Sequence, residues 1–134
     1  MIEKLAVVTV VVKDQEEALE FYTNVLGFEK RTDFTSSWGS RYVTVAPKGQ
    51  DIEISLFKAG TYPGQNGGGI TWEAGKGGGV LRTSDCKRDF EELKARGARF
   101  DESKPGEAAW GVYATLIDPD GNRFTLLQSA ANQA

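Results

Sequence analysis

The sequence predicts an α+β domain made of two βαβββ modules paired around a cleft. Two observations carry this. Hydrophobic patterning reads strand, helix, strand, strand, strand twice in succession. Residues in the two halves also match at a nearly constant offset: Trp38-Gly39 returns as Trp110-Gly111, Tyr42 and Thr44 as Tyr113 and Thr115, and Asp14 as Asp85, each 71 or 72 positions on. An offset shared by several elements marks an internal duplication, and duplicated modules pack about a pseudo-twofold axis. The modules occupy residues 1–59 and 80–134 of a single domain and are joined by a glycine-rich stretch, 60–79.

Residues 5–12 read as a strand, because Val and Thr dominate and both faces are apolar, as in a strand covered on two sides. Asp14 caps the helix that follows, with Glu17 at capping-box spacing and Ala18, Leu19, Tyr22 and Leu26 on one face. Gly27 ends it. Residues 28–34, 41–46 and 51–57 then read as strands, the last two joined by the turn residues Pro47, Lys48, Gly49 and Gln50. In the second module residues 80–83 are a strand. Ser84 or Asp85 caps a helix whose apolar face is Cys86, Phe90 and Leu93, and Gly97 ends it. Strands at 99–101, 111–117 and 123–128 follow, the last two joined by Asp118-Pro119-Asp120-Gly121.

Nine of the twenty residues at 60–79 are glycine, and only Ile70, Thr71 and Trp72 form an apolar patch. The stretch reads as a linker. The sharper alternative is a flap over the cleft tipped by Trp72. Residues 75–79 run into a strand instead of a helix N-terminus, so this is not a phosphate cradle.

Composition removes several chemistries. The 134 residues contain no histidine, which excludes Ser-His-Asp and Cys-His triads, imidazole metal sites and imidazole proton relays. Cys86 is the single cysteine, so no intramolecular disulfide or paired-cysteine metal site forms, which suits a reducing cytoplasm. It reads as a small buried hydrophobe. A net charge of −3 argues against a nucleic-acid groove. The apolar run at 5–12 is too short to cross a membrane and lacks a small-residue cleavage site, so neither a membrane partner nor a leader is expected.

Specific strings then point to a family. Val12-Lys13-Asp14, Ala18-Leu19-Glu20-Phe21-Tyr22 and Leu26-Gly27-Phe28 resemble the first module of the vicinal oxygen chelate superfamily, which includes glyoxalase I, extradiol dioxygenases, fosfomycin resistance enzymes and bleomycin-resistance proteins. Leu93 to Gly97 and Asp118-Pro119-Asp120-Gly121-Asn122-Arg123-Phe124 resemble its C-terminal half. The resemblance covers about residues 4 to 128 and implies curved sheets around a pocket, helices outside, and a homodimer. It also implies four metal ligands, one from the first and one from the last strand of each module. Those places map to Val7, Glu53, Gly79 or Val80, and Thr125. One carboxylate and one hydroxyl fall short of the three or four donors a divalent cation needs, so neither metal nor other cofactor is expected. The turn at Asp118 is not a calcium loop, because its twelfth position is Ser129.

By alternation Glu53 shares a face with Asp51 and Ser55, while Ile52, Ile54 and Leu56 face the helices. Glu53 then looks into the cleft, where desolvation would raise its pKa and suit it to proton transfer or to holding a cation. The plainer alternative is a carboxylate paired with Arg41 or Arg123. Trp38, Tyr42, Trp110 and Tyr113 supply aromatic walls for a planar ligand, or else close sheet ends or a dimer contact. Thr9, Thr83 and Thr125 alternate toward the cleft. Arg82 is expected on the helix side, an awkward place for a charge unless the register slips or the side chain reaches an edge. The expected function is a metal-free binding protein for a small planar or partly cationic molecule. The alternatives are a lyase or isomerase with Glu53 as catalytic base, and an interaction module with a vestigial cleft.

Overall fold

The computed structural model describes residues 1–64 and 67–130. The first module contains β1 (Val7–Val12), α1 (Gln15–Glu20), β2 (Glu29–Thr35), β3 (Arg41–Ala46) and β4 (Glu53–Lys58). The second contains β7 (Gly78–Arg82), α2 (Cys86–Ala95), β8 (Arg99–Phe100), β9 (Gly106–Ala108), β10 (Gly111–Ile117) and β11 (Arg123–Ser129). Between them β5 (Gly60–Pro63) and β6 (Gly69–Trp72) form an antiparallel hairpin inside the glycine-rich stretch. Neither β9 nor this hairpin was anticipated from patterning, because short, glycine-rich strands carry no alternation to read.

The sheets repeat one topology. The first runs β1-β4-β3-β2 and the second β7-β11-β10-β8, with β9 also paired to β10. In both, the first strand lies parallel to the last. The helices start where the capping residues require: Asp14 Oδ1 accepts from the Glu17 amide at 3.0 Å, and Asp85 Oδ1 from the Arg88 amide at 3.1 Å. α1 then widens into a π-helical turn over Phe21–Val25, in which the Leu26 amide donates to the Phe21 carbonyl. This inserts one extra residue, so Gly27 lies one position farther from Asp14 than Gly97 lies from Asp85. Both glycines hold positive φ, 76° and 101°, which only glycine adopts freely.

Each sheet buries the face that meets its helix. Val10, Val12, Val43, Val45, Ile54 and Leu56 pack on Ala18, Leu19 and Tyr22, and Leu116, Phe124 and Ala98 of the second module join the same core. Ala114 and Leu126 pack on Cys86 and Phe90. The Cys86 thiol is buried, donates to the Leu126 carbonyl at 3.7 Å and is pushed up in pKa chiefly by burial. Ile52, expected on the buried face, precedes β4 and is exposed.

A polar staple joins the modules. Tyr22 donates its hydroxyl to Asp118 Oδ2 at 2.8 Å, and Asn122 Nδ2 donates to the same oxygen and to the Val11 carbonyl. Asn122 Oδ1 accepts from the Gly77 amide, while Asp118 Oδ1 accepts from the amides of Asp120 and Asn122. Asp118 and Asn122 are fully buried, and among the described residues no buried side-chain polar atom lacks a partner. The Asp-Pro-Asp-Gly-Asn string thus reads as a turn in sequence but acts as an inter-module bolt. Among the described residues no helix is long and apolar enough to cross a membrane.

Candidate functional site

The side chains that alternate away from the buried faces line two helix-free sheet faces. Register places Val7 beside Glu53 and Thr9 beside Ser55. In the second module Val80 lies beside Thr125 and Arg82 beside Leu127. The metal-ligand positions mapped from sequence are therefore two direct cross-strand pairs, Val7 with Glu53 and Val80 with Thr125. Gly79 pairs with Phe124 on the helix side and drops out.

This register revises two placements. Arg82 shares the helix-free face with Val80 and Leu127, so its charge needs no place among the helices. Thr83 lies on the opposite face, toward α2, where its hydroxyl bonds the Asp89 carboxylate. Leu81 packs against the core, so its neighbours Val80 and Arg82 point the other way, and the glycine-led start of β7 at Gly78 gives no apolar alternation by which the sequence marks the buried face.

Glu53 is held from two sides. The Thr44 hydroxyl donates to its Oε1 at 2.7 Å, and Arg31 NH1 lies 4.0 Å from its Oε2. Arg31 reaches this place from a bulge in β2, which also lets it bond Glu29 and the Pro47 carbonyl. The arginines suggested by sequence are engaged elsewhere: Arg41 with Asp33 and Glu16, and Arg123 with Asp101. The Arg41 hydrogen bonds lower the Asp33 carboxyl pKa to about 2.

The second module repeats this motif with another acid. Thr115, the counterpart of Thr44, gives its amide and hydroxyl to Glu102 at 2.7 and 2.8 Å. Glu102 stands where Arg31 stands in the first module. Sequence reasoning missed it because an acid in a polar loop carries no periodic signal.

The donor set does not fit a divalent cation. Val7 and Val80 offer no donor, Thr125 offers a neutral hydroxyl, and Glu53 is already bonded by Thr44 and faced by Arg31. Among the described residues no three His, Cys, Asp or Glu side chains gather to hold a metal ion.

Aromatic residues gather elsewhere on the helix-free side. Phe57, on the same face of β4 as Glu53, packs with Tyr62 and Trp72 of the hairpin, each with ring centroids 5.2 Å away. Trp72 is therefore anchored on Phe57. Trp38 projects from the β2–β3 turn, 83% exposed, and lines a groove of about 400 Å³ with Phe57, Tyr62, Arg41 and Lys58. Its counterpart Trp110 instead stacks on Tyr113 at 5.0 Å. Tyr42 lies across the strand pair from Phe34, and both are exposed. Thr9 is exposed and Thr125 half-buried, each bordering its own sheet face. Thus Trp38 borders one groove with Phe57 and Tyr62, Trp72 packs on Phe57, and Trp110 and Tyr113 form a separate stack. Phe57 and Tyr62 were missed in sequence because each reads as ordinary strand or linker material.

Known proteins share this architecture. The family model for the Glyoxalase/Bleomycin resistance protein/Dioxygenase superfamily matches residues 4–126. The crystal structure of TnmS3, an antibiotic binding protein from Streptomyces sp. CB03234, is 33% identical with a TM-score of 0.78, covering 96% of this chain and 98% of that one. A superfamily member from Sphaerobacter thermophilus DSM 20745 is also 33% identical, with a TM-score of 0.76 and the same coverage. YetH of Bacillus subtilis (strain 168) is 29% identical over 126 residues, covering 94% of this chain and 98% of its own. With duplicated modules, sheet order and family model in agreement over nearly its whole length, the chain belongs to the glyoxalase/bleomycin resistance/dioxygenase superfamily.

Proposed function

We propose that the protein binds a small planar or partly cationic molecule without a metal ion, affinity alone being its function. The observation that carries this reading is the aromatic groove between Trp38 and the Phe57–Tyr62–Trp72 cluster. Of its lining, Phe57 shares the strand face of Glu53, where the metal-ligand places of the fold hold Val7 and a carboxylate already engaged. Aromatic faces stack on flat ligands, and Glu53, farther along the same strand face, attracts a cationic substituent. The likeness to an antibiotic binding protein supports a binding role of this kind.

A homodimer belongs to the proposal. Phe34, Tyr42, Val80 and Trp110 are all exposed, and apolar surface of this extent on a sheet face is what a second copy covers. Thr9, Thr125, Trp110 and Tyr113 then border the ligand from the two sheet faces.

Two measurements test the reading. Tryptophan fluorescence titrated with planar cationic antibiotics should saturate, and Phe57→Ala should weaken the response at least about tenfold by removing the stacking wall. Protein prepared without chelator should carry well below one equivalent of divalent metal. Stoichiometric zinc, nickel, manganese or iron would overturn it. The Thr44 hydroxyl bond to Glu53 favours one further reading, a lyase or isomerase with an oriented Glu53 carboxylate as base. Carbonyl-compound turnover abolished by Glu53→Gln would select it, and equal activity in that variant would remove Glu53 from the chemistry.

A further inference from the structure

The inter-module staple has a pseudosymmetric counterpart made of different residues. At the 71 or 72 offset, Tyr22 corresponds to Leu93, Asp118 to Pro47, Asn122 to Gln50 and Val11 to Arg82. At the first junction the phenol, carboxylate and carboxamide fill the space and bond one another. At the second junction the phenol, carboxylate and carboxamide give way to Leu93, Pro47 and Gln50, none of them charged, and these line a hollow of about 600 Å³ together with Arg82. This hollow lies toward the helices, apart from the groove bearing Trp38 and Phe57.

We propose that this hollow is a second binding site, taking a small aromatic monocarboxylate. The class follows from what the junction lacks relative to its twin, which is an aromatic ring and a carboxylate. Leu81, Leu93, Leu116, Leu126 and Phe28 form an apolar floor of a size that accepts a one- or two-ring aromatic. Lys48 and Arg96 line it with cationic side chains, and Arg96 is anchored there by its bond to the Val25 carbonyl at 3.0 Å. The backbone helps as well. Thr83 gives its amide to the Leu127 carbonyl, so the amide and carbonyl of Arg82 point to the free edge of β7, as those of Val11 point to the staple. A ligand carboxylate thus meets cationic side chains, and its ring takes the place that Tyr22 holds in the twin junction.

The acids on the rim set the charge limit. Asp89 is engaged by the Thr83 hydroxyl and lies 3.7 Å from Arg88, and Glu92 stands nearby on α2. A second anionic group on the ligand would meet these carboxylates, so dicarboxylates and phosphomonoesters are disfavoured.

The test uses the full chain with methyl-labelled leucine and 2-naphthylacetate as probe. Saturable NMR shifts are expected at Leu81, Leu93, Leu116 and Leu126, with Kd of about 1 mM or tighter for a ligand of this size. Replacing the carboxylate by an alcohol, as 2-(2-naphthyl)ethanol, should weaken binding about tenfold or more. Leu93→Tyr restores the missing ring and should abolish the shifts while leaving the melting temperature unchanged or higher. No shift, shifts confined to Leu127 on the helix-free face, equal affinity for the alcohol, or undiminished binding in a folded Leu93→Tyr protein would each overturn the proposal. If Leu93→Tyr does not fold, the wild-type methyl map and the alcohol comparison decide it.

Discussion

Replacing Tyr22 with Phe isolates the staple between modules. The ring keeps its packing with Phe28 and Phe124, at centroid distances of 6.1 Å to each, and only the hydroxyl is lost. That hydroxyl donates to a carboxylate at 2.8 Å in a fully buried setting, and Asp118 retains its bonds from Asn122 and two backbone amides. A hydrogen bond to a charged group contributes about 1.5–3 kcal/mol. At this chain length that lowers the melting temperature by roughly 5–12 °C. A pH signature separates this from a packing effect. Burial raises the Tyr22 pKa strongly, and the negative charge of Asp118 and the hydrogen bond to it add to the shift. The folded state therefore keeps a proton that the unfolded state releases above roughly pH 10, and wild-type stability falls there by about 1.4 kcal/mol per pH unit. The contribution is complete below that pH and fades as pH rises toward the folded-state value. Tyr22→Phe lacks this slope, so urea unfolding curves of the two proteins should differ by the full amount at pH 8 and converge above pH 10. A difference under about 0.5 kcal/mol at pH 8, or one that stays constant to pH 11, would refute the role given to the hydroxyl.

Further expectations follow from other parts of the fold. In Gly78→Ala a Cβ would overlap the Arg123 carbonyl at a backbone φ of +155°, so it should destabilise by about 3 kcal/mol or more or prevent folding, as read by soluble yield and chemical denaturation. Trp72→Ala removes an aromatic contact of about 0.5–1.5 kcal/mol and should speed amide exchange in β5 and β6 while leaving β10 and β11 unchanged. Carboxyl NMR should place the Asp33 midpoint at about pH 2, and Arg41→Gln should return it toward the ordinary value. Because that pKa is depressed, the pair's contribution is present above roughly pH 4 and is lost as pH falls through 2. An unchanged Asp33 midpoint in Arg41→Gln would show that the pair does not hold in solution.

Strand and helix positions were legible because burial imposes periodicity. The bounds of β3 and β10 agree with alternation, and Asp14 and Asp85 announced their helices through capping chemistry. Faces were legible where apolar alternation marks the buried side, as in β4, where Ile54 and Leu56 pack in the core and Glu53 and Ser55 share the other face. They were lost in β7, where the glycine-led start Gly78-Gly79 carries no apolar alternation to mark the buried side, and Arg82 and Thr83 lie on faces opposite to those expected. The aromatic groove was half legible. Trp38 and Trp72 stand out by type, but only the hairpin brings Tyr62 and Trp72 onto Phe57.

By itself the sequence determined the duplication, the helix caps and the poverty of metal donors, because each is written in residue type and spacing along the chain. Only the tertiary structure decided that a turn string bolts the modules together, that Arg31 rather than Arg41 meets Glu53, and that one junction is filled while its twin is hollow. Those outcomes depend on which residues from separated segments reach the same few ångströms, and local spacing does not encode that distance.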